Sequence, residues 1–130
     1  MPKILISVVI PTYNSAATLR HCLSSLKTQS MREQLEIIVV DGGSSDATLT
    51  IAQNYGAKII KNPQRLPEPA KLIGLFAARG KYICFLDSDE ALINKTQLQQ
   101  RLEFFASCPQ VKMITPTRSE ERRVGKECRS

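Results

Sequence analysis

The sequence KYICFLDSDE, residues 81–90, places three acidic residues directly after a short apolar run. An apolar run of this length predicts a buried strand, over Lys81–Leu86. Asp87 and Asp89 then lie at the mouth of that strand, where the chain leaves the sheet, so the two side chains need not do the same job. The stretch indicates a strand that ends in a polar site.

On both sides of this stretch the chain alternates strand-like and helix-like segments. Because strands that are joined by helices run parallel, the pattern predicts an α/β fold, a doubly wound and mainly parallel sheet with flanking helices. Asn14 or Ser15 is expected to cap the first helix. Three prolines predict a loop over Asn62–Pro69. The other predicted strands are Ile4–Ile10, Leu35–Val40, Lys58–Lys61 and Val111–Thr115, and the predicted helices are Ala16–Thr28, Asp46–Tyr55, Ala70–Arg79 and Thr96–Ala106.

Polar clusters follow three of the predicted strands. In open parallel sheets ligands bind at the carboxyl ends of the strands, so these clusters are expected to form one site. The clusters are Pro11-Thr12-Tyr13-Asn14, Asp41-Gly42-Gly43-Ser44-Ser45-Asp46 and Asp87-Ser88-Asp89-Glu90.

The carboxylates of these clusters suggest specific chemistry. Asp87 and Asp89 supply the hard oxygen ligands that suit Mg²⁺ or Mn²⁺, particularly when substrate phosphates complete the coordination. The alternative is a solvated acidic turn that caps the next helix. Asp41 precedes glycines that permit close backbone approach to a ligand, and its carboxylate can accept a hydrogen bond from a ribose hydroxyl or a base N–H. Alternatively, Asp41 and Asp46 fix a turn and cap a helix.

Composition narrows the class of protein. Apolar residues make up 42% and charged residues 23% of the 130-residue chain, as in a soluble globular domain. The net charge is +6, but the basic residues are scattered and no aromatic residues interleave with them, which argues against nucleic-acid binding. Peripheral association with an anionic membrane stays open. No apolar run approaches the roughly 20 residues of a membrane span, and no signal peptide is recognisable. The expected location is the cytoplasm, with the inner face of the membrane as an option.

Three segments, in this order and spacing, resemble family 2 glycosyltransferases of the GT-A fold. They are Val9–Asn14, Ile38–Thr48 and Ala78–Asp89, and the resemblance covers about residues 4–115. It implies a Rossmann-like half of the GT-A fold and a nucleotide-diphosphate-sugar donor, often UDP-linked. The acceptor is an unknown saccharide or lipid, in cell-surface polysaccharide, glycolipid or cell-wall synthesis.

The resemblance also implies roles for individual residues. Pro11, Thr12 and Tyr13 line the nucleotide pocket, Asp41 contacts the base, and Asp87 lies near the ribose. Asp89 holds the divalent cation, Mg²⁺ or Mn²⁺, on the diphosphate. The implied donor-binding residues are Pro11, Thr12, Tyr13, Asn14, Asp41, Gly42, Lys71, Arg79, Asp87 and Ser88.

The resemblance is incomplete at the end of the chain. The family inverts the anomeric centre with a downstream Asp or Glu as general base, for which this chain has no matching position. Residues 1–117 are therefore expected to form the donor-binding part, and the charge-dense residues 118–130 a disordered, non-native tail. A chain truncated in this way is expected to bind a donor but to transfer no sugar. Glu90 stands where many relatives have an aspartate, and its role is open.

Two alternatives remain. Haloacid-dehalogenase-like phosphatases also place Asp-x-Asp after an apolar strand, but on their first strand and with Thr or Val at the position of Ala91. The other alternative is a fragment that binds a nucleotide sugar without catalysis.

Overall fold

A computed structural model describes residues 3–107 and 113–114 of the chain. Residues 115–130, which include the predicted tail, lie outside the described residues, as does most of the predicted strand Val111–Thr115. The strands are β1 Ile6–Thr12, β2 Leu35–Asp41, β3 Lys58–Lys61, β4 Tyr82–Phe85 and β5 Met113–Ile114. The helices are α1 Ala16–Lys27, α2 Thr48–Asn54, α3 Pro67–Ala77 and α4 Gln97–Ser107, with a 3₁₀ turn at Arg32–Gln34.

The five strands form one parallel sheet in the order β3-β2-β1-β4-β5. From β1 the chain adds β2 and β3 on one side of β1, and then crosses to the other side to add β4. This reversal is the switch point at which ligands of doubly wound sheets bind. In register, Thr12 lies beside Asp41 and Val9 beside Phe85. The predicted doubly wound α/β sheet is confirmed.

Both faces of the sheet are covered, because successive side chains of a strand point to opposite faces. Val8 and Ile10 pack with buried side chains of α1 and α2 in the larger core cluster. Val9 faces the other way and packs with Ala70 of α3 in a smaller cluster. Within residues 3–107 none of the helices has the length and apolar character needed to cross a bilayer.

The N-terminus of α1 is capped differently from the prediction. Ser15, one of the two predicted residues, is at the N-cap position, but its side chain makes no capping hydrogen bond. Instead, Asp46 Oδ2 accepts the Ala16 N–H at 3.1 Å from the neighbouring loop. Asn14 has a left-handed backbone, φ 48°, and its Oδ1 accepts the Ser45 N–H at 2.8 Å. The cap comes from a distant residue, which no local pattern reveals.

Two predicted boundaries were wrong in an informative way. Helix α3 begins at Pro67, inside the predicted loop Asn62–Pro69, because a proline in the first helical turn lacks only an N–H that has no helical partner there. Strand β1 runs two residues further than predicted, to Thr12. Pro11 fits in β1 because β4 ends opposite Val9, which leaves that part of β1 with a neighbour on one side only.

A buried carboxylate joins three segments at the amino end of the sheet. Glu36 Oε2 accepts hydrogen bonds from the Ser7 hydroxyl at 2.6 Å and the Arg79 N–H at 2.9 Å, and Oε1 accepts from Arg79 Nε at 3.0 Å. Burial raises the pKa of Glu36, but the hydrogen bonds from Ser7 and Arg79 outweigh burial and hold it below its ordinary value. The ionised Glu36 therefore fixes β1, β2 and the start of β4 together.

Helix α3 approaches the sheet closely at Gly74. A Cβ atom added there would lie 2.3 Å from Val9 Cγ1, far inside van der Waals contact. The absence of a side chain at Gly74 thus sets the distance between α3 and β1.

We expect Gly74→Ala to lower the free energy of unfolding by about 1–3 kcal/mol, the usual cost of overpacking a core. At an exposed helical position the same change raises stability by about 1 kcal/mol, so the sign is diagnostic. Urea unfolding measures it. Phe76→Ala on the same helix, where the ring is 82% exposed, is the control and should change stability by less than about 0.5 kcal/mol. A more stable Gly74→Ala variant would show that α3 does not rest on Val9.

Candidate functional site

The three predicted polar clusters meet at the carboxyl end of the sheet. The Thr12 hydroxyl donates to Asp41 Oδ1 at 2.7 Å, which joins the ends of β1 and β2. The Ser88 hydroxyl donates to Ser15 Oγ at 3.0 Å, which joins the loop after β4 to the start of α1. The structure therefore brings the loops after β1, β2 and β4 into one hydrogen-bonded surface.

Asp41 is the most constrained side chain of this surface and is only 3% exposed. Its Oδ1 accepts from the hydroxyls of Thr12 and Ser44, at 2.7 and 2.5 Å. Its Oδ2 accepts from the backbone N–H groups of Gly43 and Ser44, at 2.9 and 2.8 Å. A carboxylate accepts about four hydrogen bonds, so protein donors fill Asp41. The structure thus shows Asp41 fixing the turn after β2.

The ionisation of Asp41 follows from the same contacts. Burial raises the pKa of this carboxyl, while the hydrogen bonds from Ser44, Thr12 and Gly43 together lower it below its ordinary value. Asp41 is therefore ionised at neutral pH and supplies a fixed negative charge at the end of β2.

Asp46 connects the loop after β2 to two helices. Its Oδ2 accepts the Ala16 N–H of α1, and its Oδ1 accepts both the backbone N–H and the hydroxyl of Thr48 in α2. The pKa of Asp46 is lowered, and the largest cause is the hydrogen bond from the Thr48 side chain. Asp46 thus holds the starts of α1 and α2 beside the site.

Arg65 contributes to the site, although no pattern in the sequence predicts it. Its guanidinium carbon lies 4.3 Å from the centroid of the Tyr13 ring, in a cation–π contact, and its Nε donates to the Gly42 carbonyl at 3.1 Å. Arg65 has a left-handed backbone, φ 63°. It lies in a segment for which the prolines predict only a loop. The Tyr13 side chain is itself half-exposed.

Two cavities lie at this edge of the sheet, and Asn62 lines both. The smaller, of about 100 Å³, is lined by Pro11, Thr12, Tyr13, Asn62, Arg65, Leu66, Pro67 and Ala70. The larger, of about 290 Å³, is lined by Asp41, Gly42, Gly43, Leu49, Ile59, Lys61, Asn62 and Pro63. Asn62 is buried and its backbone N–H donates to the Asp41 carbonyl at 2.7 Å, which holds it at the end of β2.

The residues Asp87–Glu90 form a tight acidic turn. The Glu90 N–H donates to the Asp87 carbonyl at 2.9 Å, and Glu90 Oε1 accepts the Asp87 N–H at 2.9 Å. Glu90, whose role the sequence left open, therefore closes the turn. The side chains of Asp87 and Asp89 are exposed on it.

The donor set of the acidic turn fits a hard divalent cation that also binds substrate. Within residues 3–107 and 113–114, no three His, Cys, Asp or Glu side chains are grouped to hold a metal ion. Mg²⁺ is commonly bound by one or two carboxylates, with water or phosphate oxygens in the rest of its octahedral shell. Asp87 and Asp89 could supply those carboxylates.

The two predicted basic residues lie at opposite ends of the sheet. Lys71 Nζ lies 5.9 Å from the centroid of the Phe85 ring at the end of β4, and 3.5 Å from Glu68. Arg79 instead pairs with Glu36 at the amino end. Because α3 ends at Ala77, Arg79 lies on the connection that returns the chain to the start of β4. The structure therefore does not bring Arg79 to the other predicted donor residues.

The sequence profile of the family described as glycosyl transferase family 2 matches residues 7–127, nearly the whole chain. The chain belongs to this family. The match supports the glycosyltransferase interpretation over the phosphatase alternative. The fold, the ordered motifs and the family therefore agree.

Among this family 2 chain's relatives is the minor teichoic acid biosynthesis protein GgaA of Bacillus subtilis (strain 168), 34% identical over 117 residues. That alignment covers 82% of this chain and 26% of GgaA. The chain therefore spans about a quarter of the length of that relative.

Two solved structures are also similar to this chain. Staphylococcus aureus TarS 1–349 in complex with UDP-GlcNAc gives a TM-score of 0.71 at 32% identity, over 79% of this chain and 31% of that one. Glucosyl-3-phosphoglycerate synthase from Mycobacterium tuberculosis, in complex with Mn²⁺, UDP and phosphoglyceric acid, gives 0.59 at 30% identity, over 74% and 37%. Both similarities cover about three quarters of this chain.

We expect Asp41→Asn to destabilise the fold, because an amide has one acceptor oxygen instead of two and no charge, so it cannot accept all four hydrogen bonds that the carboxylate accepts. Leaving buried donors unsatisfied costs about 1–3 kcal/mol, which the urea midpoint reports. The matched control is Asp89→Asn, also in a strand-end loop but exposed, which should change stability by less than about 0.5 kcal/mol. Equal midpoints for the two variants would contradict the role given to Asp41.

Proposed function

We propose that this chain is the donor-binding part of an inverting glycosyltransferase that takes a sugar from a nucleoside-diphosphate donor, with UDP as the nucleotide and Mn²⁺ or Mg²⁺ as cofactor. The observation that carries the proposal is the hydrogen-bonded surface formed by the loops after β1, β2 and β4, with the acidic turn at its edge. The crystal complexes of TarS with UDP-GlcNAc and of the mycobacterial synthase with Mn²⁺ and UDP support it.

The nucleotide base is assigned to the smaller cavity, against Pro11, Thr12 and the Tyr13 ring. Its polar edge is directed past Thr12 at Asp41, which lines the larger cavity. Tyr13 offers an aromatic face, and the planar guanidinium of Arg65 already lies on that ring, so a flat base matches the chemistry of the cavity. Asn14, in the loop after β1, and Gly42, in the loop after β2, supply backbone beside this cavity. This arrangement favours a nucleotide over an aliphatic ligand.

Direct contact between Asp41 and the base requires one change in the site. Because protein donors fill the Asp41 carboxylate, a base N–H can bind Oδ1 only if a hydroxyl turns away. The Ser44 hydroxyl is the group we assign to this, since hydroxyl hydrogens rotate to suit their partners. Thr12 and the backbone of Gly43 and Ser44 keep Asp41 in place meanwhile.

The diphosphate is assigned to the acidic turn. Asp89 holds the cation, Asp87 and Ser88 face the ribose, and Lys71 adds positive charge near the end of β4. Without a cation, the negative charges of Asp87 and Asp89 would repel a diphosphate. When bound, Mg²⁺ or Mn²⁺ offsets the charge that grows on the leaving diphosphate.

Transfer needs more than these residues. An acceptor hydroxyl must lie in line with the anomeric carbon, with a general base within hydrogen-bond reach of its proton. We assign donor binding to residues 3–107 and no general base among them. The acceptor we propose is a saccharide or lipid-linked saccharide of a cell-surface polymer, which the teichoic acid relative supports. Peripheral association with the inner membrane face is part of the same proposal.

We expect UDP-GlcNAc to bind this chain in the presence of Mn²⁺ and to lose at least about tenfold in affinity when EDTA replaces Mn²⁺, the loss typical of a disturbed metal site. Asp89→Asn should bind in Mn²⁺ only as weakly as the wild type in EDTA. Isothermal calorimetry measures both, with Glu33→Gln, an exposed carboxylate of the 3₁₀ turn, as the control variant.

Equal affinity in Mn²⁺ and EDTA would remove the cation from the proposal. Hydrolysis of p-nitrophenyl phosphate by the wild type, lost in Asp87→Asn, would instead support the phosphatase alternative.

A further inference from the structure

Helix α1 carries polar side chains on the side that faces the segment after β4. Cys22 and Ser25 are three residues apart and share one face of the helix, and Gln29 lies two residues after the end of the helix at Lys27. All three contact backbone atoms of residues 87–98. This face is therefore not simply an apolar packing surface.

The contacts begin at the acidic turn. The Cys22 thiol donates to the Asp87 carbonyl, with Sγ and O 3.7 Å apart. The Leu92 N–H, two residues after the turn, donates to Ser25 Oγ at 3.0 Å. The Ser25 hydroxyl in turn donates to the Cys22 carbonyl at 2.6 Å, so its oxygen is oriented to accept from Leu92. These bonds hold the chain at Asp87, the first residue of the turn, and at Leu92 after it.

Gln29 continues the contacts from the end of α1 and is 1% exposed. Its Nε2 donates to the Asn94 carbonyl at 2.7 Å, and its Oε1 accepts the Leu98 N–H at 3.2 Å. The Ser30 N–H donates to the Lys95 carbonyl at 2.7 Å. The amide of Gln29 thus joins the end of the segment to the start of α4.

These hydrogen bonds take the place of the regular backbone hydrogen bonds of a helix or strand. Strand β4 ends at Phe85 and α4 begins at Gln97, so the chain between them belongs to no helix or strand. Backbone groups outside helices and strands must find other partners, and here Ser25 of α1 and Gln29 just after it supply them. The position of the acidic turn relative to the sheet is therefore set by α1.

We propose that Ser25 and Gln29 are positioning residues, which act through the backbone of residues 92–98 to hold the acidic turn in the geometry that binds the divalent cation. This inference rests on the proposed function, because it assigns the cation to Asp89. We assign neither side chain a contact with the donor or the cation.

The neighbouring Ser24 provides a matched control. Its hydroxyl lies 2.7 Å from the Tyr55 hydroxyl, beyond the end of α2, and so joins α1 to a different part of the chain. Ser24→Ala and Ser25→Ala each remove one half-buried hydroxyl from consecutive positions of one helix. Similar losses of stability are expected from both, but only Ser25→Ala should disturb the turn.

The experiment compares the full 130-residue wild type, Ser24→Ala, Ser25→Ala and Ser25→Thr. The first readout is amide hydrogen exchange of Glu90, whose N–H is bonded within the turn. The second is the Mn²⁺ concentration that gives half-maximal UDP binding, with uridine affinity in EDTA as the reference that needs no cation. Gln29→Leu, nearly equal in volume, repeats the test at the second residue.

We expect Ser25→Ala to raise the half-saturating Mn²⁺ concentration about fivefold, which corresponds to one neutral hydrogen bond. The Glu90 amide should exchange faster, uridine affinity should not change, and Ser25→Thr, which keeps the hydroxyl, should restore both values. Ser24→Ala should match the wild type in both readouts, and Gln29→Leu should follow Ser25→Ala.

Equal exchange and equal Mn²⁺ dependence in Ser24→Ala and Ser25→Ala would overturn the inference and leave the proposed function standing. Wild-type UDP binding that needs no Mn²⁺ would overturn the proposed function, and with it the role of these residues in cation binding. Parallel losses of uridine and Mn²⁺-dependent UDP affinity would indicate a purely structural effect and would also overturn the inference.

Discussion

The hydrogen bond from the Thr12 hydroxyl to the Asp41 carboxylate joins the ends of the two central strands, and the site is arranged around it. Three further donors on Asp41 fix the turn after β2, which in turn sets the position of Ser44. Ser44 accepts the Asn14 N–H, so the loop after β1 is held by the loop after β2. A single ionised side chain thus organises the residues to which the nucleotide is assigned.

A second buried carboxylate joins separate segments of the chain at the other end of the sheet. Glu36, with Ser7 and Arg79, fixes the amino ends of β1 and β2 and the start of β4. Between Glu36 and Asp41, strand β2 is entirely apolar and buried, so both carboxylates border the core. The side chains of Tyr13, Asp87 and Asp89 are exposed at the carboxyl end of the sheet, and this is the end at which we propose that ligands bind.

The sequence predicted those parts of the molecule whose signal is local. Strand β3 has the predicted limits, and β2 differs by one residue, since a run of apolar residues that ends at polar ones defines a buried strand. The gathering of Asp41 and Asp87 at one edge followed from the parallel connections alone. Glu36 lies in a strand that was predicted to be buried, but no local sequence pattern predicts that Arg79 is its partner.

The features that escaped prediction depend on residues far apart in the chain. Asp46 caps α1 across 30 positions, and Arg65 reaches the Tyr13 ring from a loop defined only by its prolines. The α1 contacts with residues 87–98 cross more than 60 positions, and the spacing of Ser25 and Gln29 alone predicts no more than a polar helix face.

The central claim is that cation and nucleotide bind at the carboxyl end of this sheet, in glycosyl transferase family 2 geometry. Strand β1 has seven residues, so the two ends of the sheet lie roughly 20 Å apart at about 3.3 Å per residue. Paramagnetic broadening of backbone amide signals by Mn²⁺ in the presence of UDP distinguishes the two ends. We expect the amides of residues 13–15 and 87–90 to broaden first, while those of Arg79 and Gly80 stay sharp. Broadening that is strongest around Glu36, or equal at both ends, would contradict the claim.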